Sequence, residues 1–97
     1  MATFISLLSF TDQGIRNIKR TIERAEVFTE LAKKADITVK DIYWTLGHYD
    51  IVTVMEAPND EAVVSLFLSA GSLGNVRTQT LRGFSAEQMK QLLEALP

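Results

Sequence analysis

His48, Tyr49 and Asp50, three residues in a row, form the cluster with the clearest acid–base potential in this chain. His48 is its one histidine and could shuttle a proton near neutral pH, while Asp50 could orient it or a substrate. In an extended segment alternate side chains share a side, so His48 and Asp50 would face one way and Tyr49 the other. The plainer reading is a turn in which Asp50 bonds loop amides and Tyr49 packs. A lone histidine with one nearby carboxylate falls short of the about three or four ligands of a zinc site, although a single axial histidine would suffice for haem. The chain has no cysteine, which removes disulfides, thiolate metal sites and cysteine nucleophiles. Neither a metal nor a cofactor is expected.

Other groups could hold a ligand. Trp44, beside Tyr43, could stack on a planar molecule, although packing accounts for an indole more simply. The run Gly71-Ser72-Leu73-Gly74-Asn75 could offer backbone amides to an anion, with Arg77 following as partner for a ligand carboxylate. That run follows a helix, however, and a helix C-terminus repels anions. Its glycine spacing is similar to the backbone clamp of some RNA-binding modules, but it carries no lysine or arginine. Arg77 and Arg82 lie five apart on a strand and so point to opposite faces. Trp44, His48, Tyr49, Asp50 and Arg77 are thus the candidate ligand-binding residues, and His48 the candidate catalytic one. No phosphate-loop, dinucleotide, nucleophile-elbow or paired-histidine motif occurs.

The elements that must position these residues are legible from periodicity. Residues 3–10 read as a strand, with Phe4, Ser6, Leu8 and Phe10 on one side and Thr3, Ile5, Leu7 and Ser9 on the other. Ile15, Ile18, Ile22, Ala25, Phe28 and Ala32 follow at helical spacing, capped by Thr11 or Asp12. Gly14 is awkward in a first turn, and Lys33-Lys34 complement the dipole at the far end. A second strand is expected over 39–46, with Val39 and Tyr43 on one face and Ile42, Trp44 and Leu46 on the other. Gly47-His48 would form a two-residue hairpin leading into a third strand over 49–56, where Ile51 and Met55 alternate with Val52 and Val54. Pro58-Asn59-Asp60 opens a second helix over 61–70 with Ala62, Val63, Leu66, Phe67 and Ala70 in its stripe, widened by Val64 and Leu68 and closed by Gly71 as C-cap. A fourth strand over 76–84 precedes a capping box, Ser85 to Gln88, and a short helix bearing Met89, Leu92, Leu93 and Leu96.

The order is β-α-β-β-α-β plus one helix: an α+β, ferredoxin-like arrangement with an antiparallel sheet, in one domain spanning 1–97. Both long helices then cover one sheet face. The central strands are apolar on both faces, so the bare face calls for a second copy, and a homodimer or larger homo-oligomer is expected. Ten basic and twelve acidic residues give a net charge of −2, which argues against nucleic acid as a partner. No apolar run approaches the ~20 residues needed to span a membrane, and the start lacks a signal-peptide pattern, so a cytoplasmic location is the default expectation.

The blocks Phe10-Thr11-Asp12-Gln13-Gly14-Ile15, Gly47-His48-Tyr49-Asp50 and Gly71-Ser72-Leu73-Gly74-Asn75-Val76-Arg77-Thr78 resemble, in matching order, those of the GYD-domain proteins. The name motif falls on Gly47, Tyr49 and Asp50, with His48 in the variable place. The resemblance covers nearly the whole chain and implies a dimeric α/β barrel. It implies no particular activity, because related barrels include cofactor-independent monooxygenases, isomerases, haem enzymes and amino-acid-sensing domains. The leading expectation is a small-molecule binding or sensing protein with a pocket between sheet and helices. The alternatives are a cofactor-independent, monooxygenase- or isomerase-like enzyme with His48 as acid or base, and a structural or interaction oligomer.

Overall fold

A computed structural model describes residues 1–97. Its elements are β1 (Ala2–Phe10), α1 (Asp12–Arg16), a 3-10 turn (Ile18–Arg20), α2 (Thr21–Lys34), β2 (Thr38–Trp44), β3 (Ile51–Ala57), α3 (Asp60–Ser72), β4 (Val76–Gly83) and α4 (Ala86–Glu94). The four strands form one sheet in the order β2-β3-β1-β4 with every neighbouring pair antiparallel, which is the ferredoxin-like order. Strand alternation then sorts the side chains. Phe4, Ser6 and Leu8 of β1 and Ile51, Thr53 and Met55 of β3 are buried on one face, under Ala32 of α2 and Val63, Leu66 and Phe67 of α3. Phe28 and Phe67 join the two helices, their ring centroids 5.5 Å apart. The opposite face carries Ile5, Leu7, Val52, Val54 and Leu81, with no helix packed on it.

The first helical stretch departs from the expected single stripe. Thr11 caps α1 through the Gly14 amide (3.1 Å), so the helix begins at Asp12 with Gly14 inside it. A 3-10 turn interrupts the 3.6-residue period before α2, which rotates the phase. Ile15, Ile18 and Ile22 consequently remain exposed, and only Ala25, Phe28 and Ala32 of the stripe face inward, joined by Leu31. The end of α2 closes with a Schellman motif: Ile37 N donates to Ala32 O (2.9 Å) and Asp36 N to Lys33 O (3.1 Å), with Asp36 left-handed at φ 61°.

The structure departs from the expected pattern at four further places. A β-bulge between Val39 and Asp41 puts Val39 on the helix side with Ile42 and Trp44, leaving Tyr43 on the open side. The two-residue hairpin at Gly47-His48 is instead a six-residue loop, 45–50, closed by Thr45 N donating to Asp50 O (2.8 Å), with Gly47 at φ 102°. Gly71 does not end α3 but lies in its last turn, and the left-handed glycine is Gly74, at φ 84°. Val64 and Leu68 face outward.

The capping box stands as expected: Gln88 N donates to Ser85 Oγ (3.1 Å) and Ser85 N to Gln88 Oε1 (2.8 Å). It starts a helix that lies against almost nothing. Met89, Leu92, Leu93 and Leu96 are 43–65% exposed, and the molecule stretches to 52 Å in its longest dimension.

Candidate functional site

The three residues of the acid–base trio make separate contacts. Asp50 is the end-fastener of β1: its Oδ2 accepts the Phe10 amide (2.8 Å), and its own amide donates to Leu8 O (2.8 Å). With one carboxylate oxygen spent on a backbone donor, Asp50 sews the β2–β3 loop to the strand beside it. Tyr49 leans across the open face, its hydroxyl donating to Gln79 Oε1 (2.7 Å), while its carbonyl accepts from Thr45 Oγ1 (2.7 Å). His48 is exposed and touches Tyr49 edge-on, with ring centroids 5.0 Å apart. Asp50 and His48 therefore serve different neighbours.

The other candidates are dispersed too. Trp44 Nε1 donates to Thr21 Oγ1 (3.0 Å), tying β2 to the start of α2, with the indole half exposed. Arg77 is exposed on the open face and Arg82 lies on the helix side, 5.6 Å from the Phe4 ring centre and 5.3 Å from that of Phe84. No grouping of three acidic or histidine side chains could hold a metal ion.

What does converge is the set of three sequence blocks. Phe10 N meets Asp50; Thr11 N donates to Asn75 O (3.1 Å) and Thr11 Oγ1 to Gly74 O. Gln13 Nε2 donates to Leu73 O (2.9 Å) and Asn75 Oδ1 (3.1 Å). Gly14 lets α1 press on Asn75, since a Cβ there would fall 2.1 Å from the Asn75 carbonyl oxygen. The loops 45–50 and 73–75 are thus pinned to one end of β1.

Beside that end opens a cleft of about 530 Å³ between α2 and the sheet. Leu8, Ile51 and Thr53 line it from the sheet, Phe28 and Leu31 from α2, and Ile42 from β2. Gln13, Asn17, Arg20, Glu23, Arg24 and Asn75 bring the polar groups. Arg20 is paired with Glu23 (3.1 Å), whereas Arg24 donates only to backbone carbonyls, Asn17 O at 2.7 Å and Gly14 O at 3.5 Å. Thr53 is 2% exposed and its Oγ1 has no hydrogen-bond partner. None of Trp44, His48, Tyr49, Asp50 or Arg77 lines this cleft. One signal for it was present in the sequence: Thr53 interrupts the apolar alternation Ile51, Met55, Ala57 on a buried strand face.

Known proteins bear on this arrangement. The GYD-domain family matches residues 4–93. The chain is 39% identical over 82 residues to a Thermus thermophilus protein named glutamine synthetase and cystathionine beta-lyase binding protein, covering 84% of this chain and 86% of that one. Among solved structures it resembles TTHA0845, also from Thermus thermophilus, with a TM-score of 0.57 at 24% identity over 89% of this chain and 96% of that one. It also resembles the C-terminal domain of the MgtC protein from Mycobacterium tuberculosis, with a TM-score of 0.54 at 14% identity over 84% and 85% of the two chains. At those identities the structures speak for the fold alone. The family match extends over almost the entire length and takes in all three of the blocks that meet at the end of β1, and by it this chain belongs to the GYD-domain family.

Proposed function

We propose that this chain is a binding module that works by contact, first with a second copy of itself and then with an enzyme. The observation that carries the reading is the apolar surface the chain leaves without cover. Ile5, Leu7, Val52, Val54 and Leu81 lie together on the open sheet face, and the apolar side of α4 has no element of its own chain beneath it. Leu81 is exposed and the other four are partly exposed, and apolar groups gathered on an uncovered face favour association, each Å² buried contributing roughly 25 cal/mol. Two sheets packed face to face about a two-fold axis make the dimeric α/β barrel that suits this topology. The name of the Thermus relative supplies the class of further partner, an enzyme, and makes glutamine synthetase and cystathionine beta-lyase the first to try.

Native mass spectrometry and light scattering test the first contact. The wild-type chain should be dimeric or larger at micromolar concentration, and Val54→Glu with Leu81→Glu should give a folded monomer. A wild-type monomer at tens of micromolar would end the proposal. Surface plasmon resonance with the two purified enzymes tests the second contact, and no response from either removes the enzyme partner suggested by the relative.

A second reading, small-molecule binding or sensing, is favoured by the cleft under α2. Its volume lies within the roughly 300–1,000 Å³ usual for ligand sites, and it combines apolar walls with a few polar groups. The residues to test for it are those that line the cleft, since the acid–base trio lies outside it.

A further inference from the structure

The cleft under α2 has a chemistry specific enough to name its occupant, and the inference rests on the ligand-binding reading above. Across the middle of the sheet, on the helix side, run three hydroxyls in register: Thr53 on β3, Ser6 on β1 and Thr80 on β4. Ser6 and Thr80 share a hydrogen bond of 2.9 Å. Thr53 is left out, the one buried side-chain polar atom without a partner. A valine would occupy the same space without leaving a buried hydroxyl unpaired within the chain, so apolar packing alone does not account for a threonine here. Ile51 and Met55 flank it on the strand, and Phe28, Leu31 and Ile42 also line the cleft, so no side chain of the immediate apolar wall can serve it.

The charged groups of the cleft add a second requirement. Glu23 neutralises Arg20, so the carboxylate present is already taken. Arg24 is held in place by the carbonyls of Asn17 and Gly14 and forms no ion pair, which leaves a fixed cation with donors to spare. Gln13 and Asn75 are bonded to each other, and Gln13 to Leu73 O as well, so they brace the same region.

The geometry points to a site for an apolar carboxylic acid with a second polar atom at its far end, such as a hydroxyaryl alkanoate. The carboxylate faces Arg24, the apolar body lies against Phe28, Leu31 and Ile42, and the distal hydroxyl or carbonyl pairs with Thr53 Oγ1. Neither end alone defines the ligand; the pairing of an orphan hydroxyl with an unpaired guanidinium does.

Isothermal titration calorimetry on the whole chain tests this with three probes: 3-(4-hydroxyphenyl)propionate, 3-phenylpropionate, and the neutral amide of the first. The hydroxylated acid should bind once per chain, with 3-phenylpropionate and the amide each weaker by about tenfold, the scale of one buried hydrogen bond or charge contact. Thr53→Val should remove the difference between the two acids while leaving the melting temperature of the free protein unchanged or raised. Leu31→Trp should block the cleft, and amide chemical-shift mapping on the wild type places the ligand even if that variant folds poorly. If both acids and the amide bind the cleft equally, the ligand class is wrong and the cleft reading stands. If none binds, both are wrong.

Discussion

Replacing Gly14 by alanine pits helix propensity against a backbone contact, and the structure decides which prevails. Alanine is favoured over glycine within a helix by about 1 kcal/mol, so an exposed helical glycine would gain from the change. Gly14 is buried, and its new Cβ would lie 2.1 Å from Asn75 O and 3.1 Å from Asn75 C, where 3.0 Å is already closer than real Cβ atoms come. The obstacle is main chain, so no rotamer can move it aside. Relief requires that α1 or the 73–75 loop shift, which strains a packed contact at about 1–3 kcal/mol and weakens the Thr11 N to Asn75 O bond, worth about 0.5–1.5 kcal/mol. After the propensity gain is set against this, the net loss is about 1–3 kcal/mol, or about 5–20 °C of melting temperature for a domain of this size. Gly71→Ala is the matched control: it is also helical, but nothing lies within 4 Å of its added Cβ, so the protein should gain up to about 1 kcal/mol. Urea unfolding followed by circular dichroism measures both. Equal stabilisation by Gly14→Ala and Gly71→Ala would refute the argument, because it would mean the loop yields freely and the close approach is not needed.

Asp36→Gly should stabilise by up to about 1 kcal/mol in the same assay, because Asp36 holds the left-handed C′ position of α2 that glycine adopts without a Cβ penalty. Asp50→Ala strands the Phe10 amide and should cost about 1.5–3 kcal/mol by urea unfolding, whereas His48→Ala, removing an exposed ring with no hydrogen bond, should stay within about 0.5 kcal/mol of wild type. Ser85→Ala deletes half of the capping box and should weaken α4 by about 1 kcal/mol, read as faster amide exchange over residues 86–94. In a monomeric form the same change should leave the melting temperature where it was, since α4 packs against so little of its own chain.

The sheet was readable because period-two patterning survives wherever a strand is regular. Phe4, Ser6 and Leu8 fall on the helix side as their alternation requires, and Arg77 and Arg82 on opposite faces. Errors arose where backbone irregularity shifts the phase without a residue that signals it. The bulge at β2 turns Val39 over, and the 3-10 turn before α2 leaves Ile15, Ile18 and Ile22 outside the core although their spacing is helical. Gly47 suggested a tight hairpin because glycine at φ > 0 is shared by short and long loops alike, and only the Thr45–Asp50 closure tells them apart. The cleft was not readable at all in its membership. Its walls come from all four strands and from α1, α2, α3 and the 73–75 loop, and only Thr53, a hydroxyl on an apolar face, stood out from its neighbours in the chain.

The disposition of polar groups also explains why the polar sequence blocks lie together. Asp50 looks reactive in one dimension, yet it is consumed, like Thr11 and Gln13, in holding the 45–50 or 73–75 loop to the end of β1. That fastening has a consequence beyond stability, because Gln13 and Asn75 line the cleft, and Gly14 O with Asn17 O fixes Arg24. A loosened Gly14–Asn75 contact must therefore disturb the position of the Arg24 guanidinium as well as the fold. Ligand affinity and stability should fall together in Gly14→Ala, while Asp50→Ala, whose bonds lie on the β3 side of β1, should lower stability with a smaller effect on affinity. Separating those two responses on the same pair of variants distinguishes a cleft built for a ligand from a gap left by imperfect packing, since a gap has no reason to prefer one fastening over the other.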